Sequence, residues 1–333
     1  MVDSVKSRQA RQRELASARR DATAAPSSHA VGVRHHMRSL IGRVDASLAA
    51  LRAGRDDEAL HDFRVNIRRL RTLLNTFSDV VELDKRDRRR LRALAHCTND
   101  ARDLEVATQL LQSHAQRVRP QQRRAFASRA RHYRDQAQRN ASTLRKELPP
   151  QWASVRRRLR TSERTLHAAE RSAYARETAR RVTPLLRELR RTLRKVRSVG
   201  DTEAMHRARI VAKKARYLLE PFTAGVAALD AARKELVELQ DTLGNIHDNV
   251  LLAERIKGEA VRTAQASILT LFDTRGRVMH ASSKSLLVDI ALYRSVQREA
   301  RRAFVAANKK LFNYGADAVV QRLRAQSAAL LHC

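Results

Sequence analysis

Two short stretches of this chain gather the residue types that hold phosphate. The first runs His61-Asp62-Phe63-Arg64-Val65-Asn66-Ile67-Arg68-Arg69-Leu70-Arg71. The second, 145 residues downstream, runs His206-Arg207-Ala208-Arg209-Ile210-Val211-Ala212-Lys213-Lys214-Ala215-Arg216. A guanidinium presents a planar fork of donors that matches two phosphate oxygens at once, and an ammonium adds a point charge. An imidazole gives one donor when neutral and two when protonated. The chemistry within reach of these residues is capture of an anion. Metal ligation suits them poorly, because guanidiniums repel a cation and neither His61 nor His206 has a second ligand four residues on. General-base work would need a nucleophile or an activated water, and no such constellation is visible. A place in the core is the alternative role for the two histidines, and contact with the anion is the reading favoured.

At about 100° per residue, Arg64, Arg68 and Arg71 fall within about 80° of His61 on one side of a helix. Phe63, Ile67, Leu70, Leu73, Leu74 and Phe77 cluster beside them. The helix therefore has a face for the core and a line of cations along its edge. The second copy repeats that line as His206, Arg209, Lys213 and Arg216, and the doublets Arg68-Arg69 and Lys213-Lys214 add charge one step round. Neither line contains an acid. An exposed helix ordinarily mixes signs to gain pairs at i,i+4, and like charges at that spacing repel. Either these are solvated cations beside a core, or a bound anion compensates them; the repetition in register favours the anion.

Each copy has a downstream element, Thr98-Asn99-Asp100-Ala101-Arg102-Asp103 and Leu243-Gly244-Asn245-Ile246-His247-Asp248. Asp103 and Asp248 coincide at the repeat offset, and the reading preferred for them is orientation of neighbouring basic side chains. Gly244 is expected to permit close helix approach, a role that Asn99 weakens in the first copy. Arg102 could reach the basic line, and its counterpart is His247.

The elements that must position these residues are helices. Glycine (9), proline (6) and aromatic residues (4%) are scarce, while hydrophobic residues reach 43%, so the composition predicts an all-α globular chain. Met1 to about Ala30 reads as a basic flexible arm. Periodicity begins near Val31. Gly54 before Asp56-Asp57-Glu58, and Gly200 before Asp201-Thr202-Glu203, read as one helix stopping and the next starting. Pro120 and Pro149-Pro150 are expected to be further breaks. These signals divide the chain into a first helical repeat over 31–150, a connecting segment over 151–170 and a second repeat over 171–333. Leu91 with Leu236, and Leu94 with Leu239, extend the correspondence without a gap.

The formal net charge of +33 calls for a polyanionic partner, since a compact chain repels itself at that excess. Cys97 and Cys333 form no metal-site spacing and no disulfide framework, which suits a reducing compartment. No apolar run approaches a membrane span, Ser285 to Tyr293 being short and interrupted by Asp289, and no signal-peptide core opens the chain. A cytoplasmic location without a membrane partner is expected. No cofactor is predicted, and no P-loop, carboxylate cluster or nucleophile motif points to an enzyme.

The spacings H-x-x-R-V-x-x-R-R-L-R and H-x-x-R-I-x-x-K-K-x-R-Y-x-L-E, with the A-R-D and I-H-D elements after them, resemble the CHAD family, the conserved histidine α-helical domain. The resemblance covers roughly Val31 to Phe312, and Asn99 departs from the family's usual glycine. It implies two four-helix bundles related by an approximate twofold axis, with a basic central groove between them that holds inorganic polyphosphate, and association with polyphosphate granules. The contacts it implies are His61, Arg64, Arg68, Arg69, Arg71, Arg102, His206, Arg209, Lys213, Lys214 and Arg216. Nucleic acid is the alternative polyanion, although few aromatics are present to stack bases. An enzyme of polyphosphate metabolism is the more distant alternative.

Overall fold

Acidic caps, glycines and one proline set most of the helix ends. The computed structural model describes residues 28–54, 56–81, 83–118, 120–159, 166–273, 279–312 and 315–333. The basic arm lies outside this set except for its last residues, because the first helix, α1 (Ser28–Arg52), already begins at Ser28. It ends at Gly54, whose φ of +81° is a left-handed conformation that costs glycine little. Then follow α2 (Asp56–Thr76), α3 (Lys85–His96), α4 (Asn99–Arg117) and α5 (Pro120–Arg156). The second part of the chain gives α6 (Ala168–Leu193), α7 (Thr202–Leu219) with a 3-10 turn over Glu220–Phe222, α8 (Ala227–Asp273), α9 (Met279–Leu311) and α10 (Gly315–Ser327). No strand occurs among the described residues, so the fold is all-α as composition predicted. None of the described helices is long and apolar enough to cross a membrane.

The Pro149-Pro150 pair does not end a helix. α5 runs through it to Arg156. Two prolines remove two backbone donors, but the segment beyond them is held elsewhere. Leu148, Trp152 and Val155 are buried, Trp152 Nε1 donates to Asp45 at 2.7 Å, and Arg156 pairs with the same carboxylate at 2.8 Å. Tertiary anchoring of α5 on α1 outweighs the local penalty. Pro120, by contrast, opens α5, where a missing N–H costs nothing.

The helices pack across the two sequence halves. α1 lies against α2 and α6, α7 lies against α6 and α2, and the four close a ring. The hairpins α4–α5 and α8–α9 extend from it. The larger apolar cluster takes Phe63, Ile67 and Phe77 from α2 and its flank together with Val211, Ala215 and Phe222 from α7 and its flank. A second cluster joins Leu104 and Leu111 of α4 and Tyr133 of α5 to Ile256 of α8 and Val296 of α9. Among the described residues, both clusters take members from either side of the 151–170 segment, of which 160–165 lie outside the described residues. The apolar face assigned to α2 is buried throughout: Phe63, Ile67, Leu70, Leu73, Leu74 and Phe77 are each at most 3% exposed.

Candidate functional site

The cationic edges of α2 and α7 meet where the two helices pack. Lys213 lies at that seam, half-buried, with Arg209, Arg68, Arg216 and Arg64 acting on it. Burial first, then those four guanidiniums in that order, push its ammonium down to about 7. Arg68 of the first copy feels Arg209 of the second, while Arg64 acts on Lys213, so the approach is reciprocal between the two helices. Arg64 is only 3% exposed, and its Nε and Nη1 have no hydrogen-bond partner. Burial, with help from Arg68 and Arg102, lowers it to about 10. Arg209 Nε is likewise buried without a hydrogen-bond partner, and Arg216 Nε has only an ion pair, to Glu220 at 3.6 Å. Buried donors normally find acceptors, so several unfilled ones on one seam call for acceptors from outside the chain.

The downstream elements hold the guanidiniums in place. Arg209 Nη1 donates to Asp248 at 3.3 Å. Gly244 makes room for that side chain: a Cβ there would stand 3.3 Å from Arg209 Nη2 and 3.4 Å from its Cζ. Its expected role in helix-to-helix approach is thus, more specifically, a seat for a guanidinium. In the first copy Asn99 contributes an acceptor instead, taking a bond from Arg68 Nη2 at 3.2 Å. Asp103 makes no comparable bond. Dehydration raises its carboxyl, as do Asp100 and Asp248, against opposing pulls from Arg255 and Arg64. Arg102 pairs with Glu105 at 3.4 Å and acts on both Arg64 and Arg68.

Each histidine stands with the cations of its own half. His61 reaches the mouth of a cavity of about 700 Å³, beside Arg102 and Glu105. Partial dehydration lowers its pKa, and Arg64 and Arg102 lower it further. His206 is lowered in the same way, by dehydration and then by Arg209 and Lys213. Its ring centroid lies 5.2 Å from that of His247. His247, also lowered chiefly by burial, has a buried Nδ1 without a partner.

Not every cation of the two motifs faces the seam. Arg69 turns to Glu220, with Nε at 2.7 Å from the carboxylate. Lys214 is exposed. Arg71 is half-buried near Arg92 and Arg68, and is lowered by burial before either of them acts. The residues that sequence reasoning left out are Tyr217 and Glu220. Glu220 also holds Arg216, at 3.6 Å, and the Tyr217 ring lies under both guanidiniums, with Arg216 at 4.9 Å and Arg69 at 5.6 Å from its centroid. Both were in plain view in the R-Y-x-L-E run of the second copy. Among the described residues, no group of three or more His, Cys, Asp or Glu side chains could hold a metal ion.

The arrangement of guanidiniums and an ammonium is suited to holding several phosphate oxygens. Comparison with known proteins agrees with the architecture. The family model for the CHAD domain matches residues 35–257. Among solved structures, the CHAD domain from the plant Ricinus communis is similar, with 22% identity, a TM-score of 0.51, and coverage of 90% of this chain and 92% of that chain. At that identity the likeness concerns the fold. No curated protein matches.

Proposed function

The chain belongs to the CHAD domain family, and on that footing we propose that it captures inorganic polyphosphate along the seam between α2 and α7, without transforming it. The observation that carries this reading is the convergence of Arg64, Arg68, Arg209, Lys213 and Arg216 around one point with their charges incompletely matched. Concentrating like charges in a partly dehydrated place is unfavourable unless an anion compensates them. Polyphosphate offers about one charge per phosphate and no base, so it needs neither stacking rings nor groove-reading elements. Its regular oxygens suit a line of guanidinium forks. Association with polyphosphate granules in the cytoplasm follows from such binding.

The test is titration with polyphosphate and with RNA at equal phosphate concentration, for the native chain and for a variant with Arg64, Arg68, Arg209 and Lys213 all replaced by Ala. The expected result is preference for polyphosphate and its loss in the variant, with helical circular dichroism retained. Preference for RNA would move the reading to nucleic acid. Tight polyphosphate binding by the variant would place the site elsewhere. Phosphate release from polyphosphate on addition of Mg²⁺ would replace a binding role with an enzymatic one.

A further inference from the structure

A densely basic helix packs on α2 and takes no part in the seam. α3 (Lys85–His96) carries six lysines and arginines against one acid. Lys85, Arg89, Arg92 and His96 follow one another at intervals of four, three and four. At that spacing they fall within about 60° on one side of the helix, in a line about 16 Å long. All four are exposed. The acids near them are spent on other cations. Asp87 pairs with Arg90 at 3.3 Å and with Arg158 at 3.4 Å, and Asp84 lies 3.7 Å from Arg158. Among the described residues Lys85, Arg89 and Arg92 have no ion pair, and Arg89 Nε donates only to the Lys85 carbonyl at 3.3 Å. Like charges at these spacings repel.

The stripe joins the seam through Arg71 of α2. Beyond its own burial, Arg71 feels Arg92 first and Arg68 second, and Arg68 is one of the guanidiniums around Lys213. Cations therefore step outward from Lys213 to Arg68, Arg71 and Arg92, and on along α3.

The internal repeat shows what the fold itself requires at these positions. At the same offset of 145, α3 corresponds to the stretch Asp230 to Asp241 of α8, which has two cations against four acids. The stripe positions there are Asp230, Lys234, Val237 and Asp241, and Lys234 pairs with Asp230 at 2.9 Å. Arg71 corresponds to Arg216, which Glu220 holds at 3.6 Å, whereas the first copy has Asn75 in the place of Glu220. Packing against a motif helix thus accepts acids at these positions and does not account for the cations of α3. The second copy follows its motif helix with carboxylates, and the first follows it with unpaired cations.

Resting on the polyphosphate reading, we propose that α3 is a second, exterior track for the same polyanion. A long chain leaves the seam past Arg71 and lies along Lys85, Arg89, Arg92 and His96, while a short chain occupies the seam alone. Complementary charge and continuity with the seam select this occupant, and the track makes the protein selective for long chains.

The experiment is titration of the full chain with tripolyphosphate and with long-chain polyphosphate. The triple variant Lys85→Gln, Arg89→Gln, Arg92→Gln should bind the long chain roughly tenfold or more weakly, through three lost phosphate contacts, and tripolyphosphate as the native chain does. The triple variant Arg301→Gln, Lys309→Gln, Lys310→Gln removes the same charge from exposed positions of α9 and should bind both as the native chain does. Helical circular dichroism should be unchanged in both. Native long-chain affinity in the α3 variant would overturn the track and leave the seam reading intact. Equal losses in the two triple variants would reduce the effect to net charge, and loss of tripolyphosphate binding in the α3 variant would make α3 a support for the seam; either would overturn the track. Failure of the native chain to bind polyphosphate of either length would overturn the seam reading and the track together.

Discussion

Lys213 is the residue on which the chemistry of the seam turns, because its charge is not settled at neutral pH. Its ammonium is held at about 7, chiefly by burial and then by four guanidiniums. A polyanion favours the charged form, so the pKa in a complex lies above 7. Below pH 7 the side chain is charged before ligand arrives, and no proton is taken up. Above 7, binding draws in a proton, and affinity declines as pH rises, by at most about tenfold per pH unit for one linked site. Lys213→Arg should abolish this slope. Calorimetry at pH 8 in buffers of different ionisation enthalpy measures the uptake directly, and equal heats in native and variant would contradict it. Arg64 makes the complementary point about stability. It is almost fully buried, lacks partners at two nitrogens and faces other cations. Arg64→Met should therefore raise stability in the absence of ligand, by about 1–3 kcal/mol, while weakening polyphosphate binding. An unchanged or lowered unfolding midpoint would show that Arg64 has compensation in the free protein.

At the scale of the helix, what sequence could tell was azimuth. Periodicity placed the buried face of α2 correctly down to Phe77 and laid the cations along its edge. It could not tell which cations at that edge meet the other copy. Arg69 stands one step round the helix from Arg68, and its partner is Glu220, 151 residues away, which also holds Arg216. No local pattern reports such a partner. Helix ends were legible where they depend on local chemistry, at Gly54 and Pro120, and illegible at Pro149-Pro150, where the outcome is decided by Trp152 and Arg156 gripping Asp45 on α1. Close approach was also hidden. Gly32 sits so near α6 that a Cβ would stand 2.6 Å from Tyr174 Cβ. Gly32→Ala should therefore push α1 from α6 and cost about 1–3 kcal/mol. A denaturant midpoint equal to that of the native chain would mean that the helices can separate without penalty.

The whole molecule carries its +33 charge on a frame that mixes the two sequence halves in both apolar clusters. If the five converging cations each meet a phosphate, log affinity for polyphosphate should fall with log salt at a slope of about −3 to −4, using about 0.7 per contact for a single strand. Bound polyphosphate should also raise the unfolding temperature, by linkage worth about 2.7 kcal/mol at a hundredfold excess over Kd. A flat salt dependence would deny that the contacts are ionic.

Two long helices pass through both clusters. α5 gives Phe126 and Tyr133 to one and Leu148 and Trp152 to the other, and α8 likewise gives Ile256 to one and Leu236 and Leu243 to the other. A rod shared by two cores cannot pivot between them without breaking its own backbone ladder. The gauge of the slot beside Asp248, which α8 carries, is thus inherited from continuous girders. On the proposed function, polyphosphate would meet a fixed jaw instead of a hinged clamp and would have to match the opening it finds.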